Sequence, residues 1–139
     1  MGYYAVYRAI FNTIKTVLEA KSNIKQVVLG APPVIRDLPL ALINPDTTEI
    51  GQAAIGSLLE NRITVEVILI LRETEPANWF DEIIVVMGDV VDAVLADRTL
   101  AGAAKDIIPI IFAPGEVRMG NSIYYGGLVR FQALVFYAP

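Results

Sequence analysis

The chain has 139 residues, 55% of them hydrophobic, with 11 basic against 15 acidic side chains and a net charge of −4. It contains neither histidine nor cysteine, which removes the commonest general base, the commonest metal ligand, disulfides and thiolate chemistry. The acidic balance, with a pI near 4.7, argues against a nucleic-acid-coating protein or a polybasic membrane-surface module, since both need basic stripes.

The length suits one domain, residues 1–139, with a single core. A mean hydropathy of +0.53 is more apolar material than a small monomer readily hides. Large apolar patches on soluble proteins mark interfaces, so a homo-oligomer is expected. No run reaches the ~20 apolar residues that span a bilayer: Glu66 interrupts Ile63–Leu71, and Gly88, Asp89 and Asp92 interrupt Ile83–Leu95. Arg8, Lys15 and Glu19 within Met1–Ala20 argue against a signal peptide. A soluble protein is expected.

Tyr7, Ile10, Phe11, Ile14, Val17 and Leu18 recur at helical spacing and predict an amphipathic helix from about Tyr3 to Ala20. Ile24–Leu29 and Leu38–Ile43 read as short strands, the first stopped by Gly30-Ala31-Pro32-Pro33 and the second by Asn44-Pro45-Asp46. Pro45–Asn61 is a long connection, either a loop folded onto its own domain or a hairpin arm that packs on a neighbouring subunit. Ile63–Arg72 alternates, then turns apolar on both faces, as a central strand does. Phe80, Ile83, Ile84, Met87, Val90, Val91, Val94 and Leu95 share one arc of a second helix, Asn78–Ala96. Asn78 is its expected cap, and Asp81 and Glu82 suit its positive end. Val85 falls among carboxylates, where a subunit contact would account for it. Lys105–Phe112, with Pro109 marking an edge or bulge, and Ile123–Tyr137 read as a hairpin with a long tip, Ala113–Ser122. The expected fold is α+β: a two-layer mixed or antiparallel sheet with both helices on one face, in the order α-β-β-β-α-β-β.

Chemistry-bearing motifs are weak. Gly115–Ser122 has the spacing of a phosphate loop, but Asn121 replaces the lysine and a strand follows instead of a helix. Asp89 and Asp92 share a helix face, and Asp46, Glu49, Glu73 and Glu75 lie in expected loops. A hard cation wants more oxygen ligands from a shaped pocket than either group offers. Ser22, Ser57 and Ser122 have no histidine to activate them. No catalytic, cofactor or metal residue is assigned, and a non-enzymatic protein is expected. Asp97-Arg98-Thr99-Leu100-Ala101-Gly102 reads as a helix stop: Arg98 at the negative helix end, Leu100 under the sheet and Gly102 in a permissive turn.

Taken in order, these features resemble the tail terminator, or tail completion, proteins of long-tailed bacteriophages and prophages. The resemblance rests on the amphipathic first helix, Gly30-Ala31-Pro32, Leu38-Pro39-Leu40-Ala41, the long connection before Ile63–Arg72, the closing hairpin and Asp97–Gly102. In the last motif the family often carries a Thr-Leu pair and then a glycine pair, with Ala101 here in place of one glycine. The resemblance implies a structural virion protein, assembled in the host cytoplasm into a ring, typically hexameric. Such a ring caps the tail tube, stops its polymerisation and docks to the head–tail connector, with no sequence-specific nucleic-acid or membrane partner. Glu49, Ile50, Glu60, Arg62, Arg72, Glu73, Val85 and Arg118 are the expected subunit contacts; the charged ones flank the loops expected to meet a neighbour, where rim pairs set register and partner choice. Alanine at Arg72 and Arg118 together is then expected to weaken the oligomer. Head-completion or neck proteins and a small-ligand-binding regulatory α+β domain are the alternatives.

Overall fold

The helical spacing near the amino terminus is realised as α1, Tyr3–Glu19, which buries Ile10, Phe11, Ile14 and Leu18 on one stripe. The computed structural model describes residues 2–30, 34–53, 56–72 and 79–139, with the backbone alone at Arg72. The remaining elements are β1 (Gln26–Leu29), β2 (Leu40–Gln52), β3 (Leu59–Arg72), α2 (Trp79–Leu95), β4 (Asp106–Met119) and β5 (Ser122–Tyr137). The protein is α+β, and its five strands form one open mixed sheet in the order β1-β2-β3-β5-β4. Among the described residues β1 and β2 run parallel, and the β2–β3, β3–β5 and β5–β4 pairings are antiparallel.

Both helices pack on one face. There Ile63, Val65, Val67, Leu69 and Leu71 of β3 meet Val129, Phe131, Ala133 and Val135 of β5 under the apolar stripes of α1 and α2. The other face carries a smaller cluster, Leu40, Ile70 and Tyr124, against which Ile35 and Leu38 pack. Near the middle of that face Arg130 reaches Glu66 at 3.1 Å and Asp46 at 3.2 Å, tying β5, β3 and β2 together.

Two expected boundaries are corrected. Leu38–Ile43 does not stop at Pro45: β2 runs on to Gln52 through an irregularity between Pro45 and Thr48. Proline interrupts a strand by withholding a ladder donor. Here the neighbouring strand of the same chain ends opposite Ile43, so no ladder within the chain asks a donor of Pro45 on the side facing away from β3. The connection 45–61 is accordingly a hairpin arm, β2 paired with β3 out to Gln52 opposite Leu59. The supposed tip Ala113–Ser122 is also mostly strand. β4 continues to Met119, and the turn is Gly120-Asn121 alone, with Gly120 at a left-handed φ of 61°. The expected cap Asn78 lies outside the described residues.

Asp97–Gly102 carries the tightest local geometry. Leu100, Ala101 and Gly102 all have positive φ, at 49°, 56° and 88°, a region that costs a non-glycine residue roughly 1–2 kcal/mol. The Asp97 carboxylate offsets this by accepting from the Thr99 amide (3.0 Å), the Thr99 hydroxyl (2.7 Å) and the Ala101 amide (3.0 Å). The turn drives Leu100 into the core at 1% exposure. Arg98, expected to face the helix end, instead donates twice to Asp106, at 2.7 Å each.

Candidate interaction surface

The two long edges of the sheet differ in what covers them. β4 is the outermost strand and pairs only with β5 among the described residues. Its first half reads Asp106-Ile-Ile-Pro-Ile-Ile-Phe112. Ile107 is buried, whereas Ile108, Ile110, Ile111 and Phe112 are 38–44% exposed. An edge strand offers a row of unpaired amides and carbonyls, and natural proteins normally blunt such edges with charge, brevity or cover. This one is long and apolar, and Pro109 with the irregularity between Pro109 and Ile111 is its main blunting feature.

The helix layer extends the apolar margin. α2 lies over β4 and β5. The side chain of Asp89 accepts from Asn23 at 2.7 Å, so that side of α2 faces the end of α1. At 100° per residue Phe80 and Ile84 fall on the opposite flank, toward β4, and they are 51% and 36% exposed. Complete burial of one such side chain contributes roughly 1.5–3 kcal/mol, and these are half covered already, so each has about half of that still to gain.

On the far side of the sheet β1 pairs with β2 only from Leu40 to Ile43. From Asn44 onward β2 is itself an edge, and Glu49, Ile50, Gly51 and Gln52 are exposed. This arm is held to the body by a buried amide. Asn61 accepts from the Tyr3 hydroxyl at 2.8 Å and donates to the carbonyls of Leu59 and Val135. Burial, then the nearby Tyr7, pushes the Tyr3 phenol above its ordinary value.

The expected contact residues divide into separate groups. Glu49 and Ile50 stand on the β2 arm, beside Glu60 and Arg62, which pair at 3.6 Å. Glu49 is directly opposite Arg62 in the ladder. Arg118 is opposite Ile123, at the other end of the sheet near the Gly120 turn. The backbone of Arg72 pairs with Tyr125 at that same end; its side chain and Glu73 lie outside the described residues. Val85 is 60% exposed on α2, away from both groups. The sequence singled out no residue of Ile108–Phe112 as a contact. Its signal was available in five apolar residues in a row around a proline, since a half-buried strand should alternate.

Two of the carboxylates considered for a cation are otherwise engaged. Asp46 belongs to β2 and pairs with Arg130, and Asp89 holds Asn23. Glu49 is on a strand rather than in a loop, and Glu75 lies outside the described residues. Among the described residues no three acidic side chains gather to hold a metal. Gly115–Ser122 is strand and turn, without the helix start that a phosphate loop uses. A groove of about 600 Å³ lies between α1 and the 100–105 turn, lined by Val6, Ala9, Ala103 and Phe136 among others. Of the lining side chains only Thr13 and Lys105 are polar, and the Thr13 hydroxyl already donates to the Ala9 carbonyl, which leaves few polar groups to orient a small molecule. No described helix is long and apolar enough to cross a membrane. No protein family matches the chain, and no curated protein matches it.

Proposed function

We propose that the protein is a structural assembly protein of a phage tail. In this proposal it forms a ring that caps the tail tube, stops tube growth and docks to the head–tail connector. The observation that supports this reading best is the uncovered edge, Ile108–Phe112 with Phe80 and Ile84 beside it. Interface patches are where a soluble chain keeps exposed apolar side chains together. A head-to-tail contact between copies is heterologous, and such contacts close into rings when the rotation per copy divides a full turn. The order of elements and the Asp97–Gly102 turn supply the tail terminator assignment by resemblance.

The direct test is negative-stain microscopy of the purified protein, followed by its addition to growing tail tubes. Rings with a central hole that arrest tube elongation are expected. Scattered compact particles without effect on tube length would overturn the assignment.

A further inference from the structure

We propose that the copies join by extending one another's sheet, the free edge of β4 in one copy pairing antiparallel with the free β2 arm, Asn44–Gln52, of the next. This rests on the ring reading above and specifies how that ring is held.

Three observations converge on the second copy as occupant. The first is height. Following the ladder across the sheet, Asp106 is level with Leu134, Arg62 and Glu49, and Ile107 with Ala133, Ile63 and Thr48. Pro109 is level with Phe131, Val65 and Pro45, and Ile111 with Arg130, Glu66 and Asn44. The stretch Ile108–Ile111 of one edge therefore spans the rungs between Asn44 and Thr48, the first part of the uncovered stretch of the other, with Pro109 and Pro45, which have no amide to donate, on one rung. β1 covers β2 only up to Ile43, which is level with Phe112. The uncovered half of β2 begins where the exposed run of β4 ends.

The second is strand sense. β2 is antiparallel to β3, β3 to β5, and β5 to β4, so β4 runs opposite to β2. A neighbour in the same orientation, displaced sideways by one sheet width, presents β2 antiparallel to β4, the commoner and slightly more stable pairing. The right-handed twist between strands rotates each added copy relative to the last.

The third is charge. Lys105, just before β4, and Glu49 on the arm are both exposed, and neither is in an ion pair among the described residues. Arg98 is already engaged by Asp106. Head-to-tail pairing brings the lysine to within one rung of the neighbour's glutamate. A two-fold pairing of β4 with β4 would leave the arm, with Glu49 and Ile50, uncovered.

The absence of cysteine makes disulfide trapping unambiguous, because opposed residues of an antiparallel pair fall within bridging range. Thr47→Cys and Ile108→Cys are combined in one chain. A parallel chain carries Glu49→Cys and Ile110→Cys to allow for a different register. On mild oxidation a double variant gives a ladder of covalent multimers on non-reducing gels, while each single variant stays uncrosslinked. Single-variant dimers through Ile108→Cys or Ile110→Cys would show two-fold pairing and overturn the proposal. Absence of any ladder, with the wild type still oligomeric by light scattering, would overturn this edge pairing and leave the ring reading standing. A wild type that is monomeric throughout would remove both. Independently, Ile108→Lys should shift the wild-type oligomer to monomer with its circular dichroism spectrum unchanged; an intact oligomer would count against the pairing.

Discussion

The β1 edge and the β4 edge close the same sheet in opposite ways. β1 is four residues long, and the side chain of Gln26 pins the chain that follows it, donating to the Val34 carbonyl and accepting from the amides of Arg36 and Asp37. That segment lays Ile35 and Leu38 over the open face. β4 is fourteen residues long and exposes Ile108, Ile110, Ile111 and Phe112 with no segment over them among the described residues. One edge is short and covered; the other leaves its apolar residues exposed. The high hydropathy of the chain is thus traced to a place. Part fills the core between helices and sheet, and a distinct share lines one edge and the flank of α2.

That contrast predicts a hierarchy of effects. The largest belongs to the interior. A Cβ at Gly126 would lie 1.7 Å from the Leu69 carbonyl oxygen, a backbone atom that cannot yield without breaking the β3–β5 ladder. Gly126→Ala should therefore destabilise the fold by about 3 kcal/mol or more, measured by urea unfolding. Phe131→Ala, at 0% exposure, should cost about 3–5 kcal/mol. Phe112→Ala, on the edge, should cost the isolated monomer less than about 1 kcal/mol while weakening association. Equal losses at the two phenylalanines would erase the distinction between core and edge.

Turn chemistry comes next. Ala101→Gly should raise stability by about 0.5–1 kcal/mol in thermal melts, because glycine is unstrained at a φ of 56°. The hydrogen bond of Asp97 with the Thr99 side chain, then the Thr99 and Ala101 amides, holds its carboxyl below the usual range. Bonding to Arg98, foremost, does the same for Asp106. Depressed folded-state values stabilise above the unfolded-state pKa, and that contribution disappears as pH falls through the folded one. The melting temperature should therefore drop below about pH 4, and Asp97→Asn should flatten that drop. An identical acid profile in the variant would assign the acid loss elsewhere. The smallest effect is expected at Arg62→Ala, which removes an exposed pair at 3.6 Å and should change monomer stability by less than about 0.5 kcal/mol.

Much of the fold was legible because its signals are local. The arcs of α1 and α2 and the alternation of Ile63–Leu71 each name an element by themselves, and the element order followed. The errors came where a residue's meaning depends on a distant strand. Pro45 reads as a stop until one knows that β1 has already ended beside it. Ala113–Met119 reads as a loop because Pro114 and Gly115 favour turns locally, yet β5 supplies a continuous partner and, among the described residues, β4 has no second neighbour to need the proline's missing amide. The exposed β4 edge was hidden for a related reason. Charged residues such as Glu60 and Arg62 stood out individually, whereas Ile108–Phe112 looked like ordinary core sequence. Only the strand order reveals that no described strand lies beyond it.

The central claim is that the β4 edge is covered by another copy of this chain. Sedimentation equilibrium tests it most directly, comparing wild type with Ile108→Lys over a hundredfold range around micromolar concentration. The expected wild-type particle is near a hexamer's mass, about six times the 15.2 kDa chain, and the variant a folded 15.2 kDa chain. A wild type that sediments as a single 15.2 kDa chain across that range would contradict it.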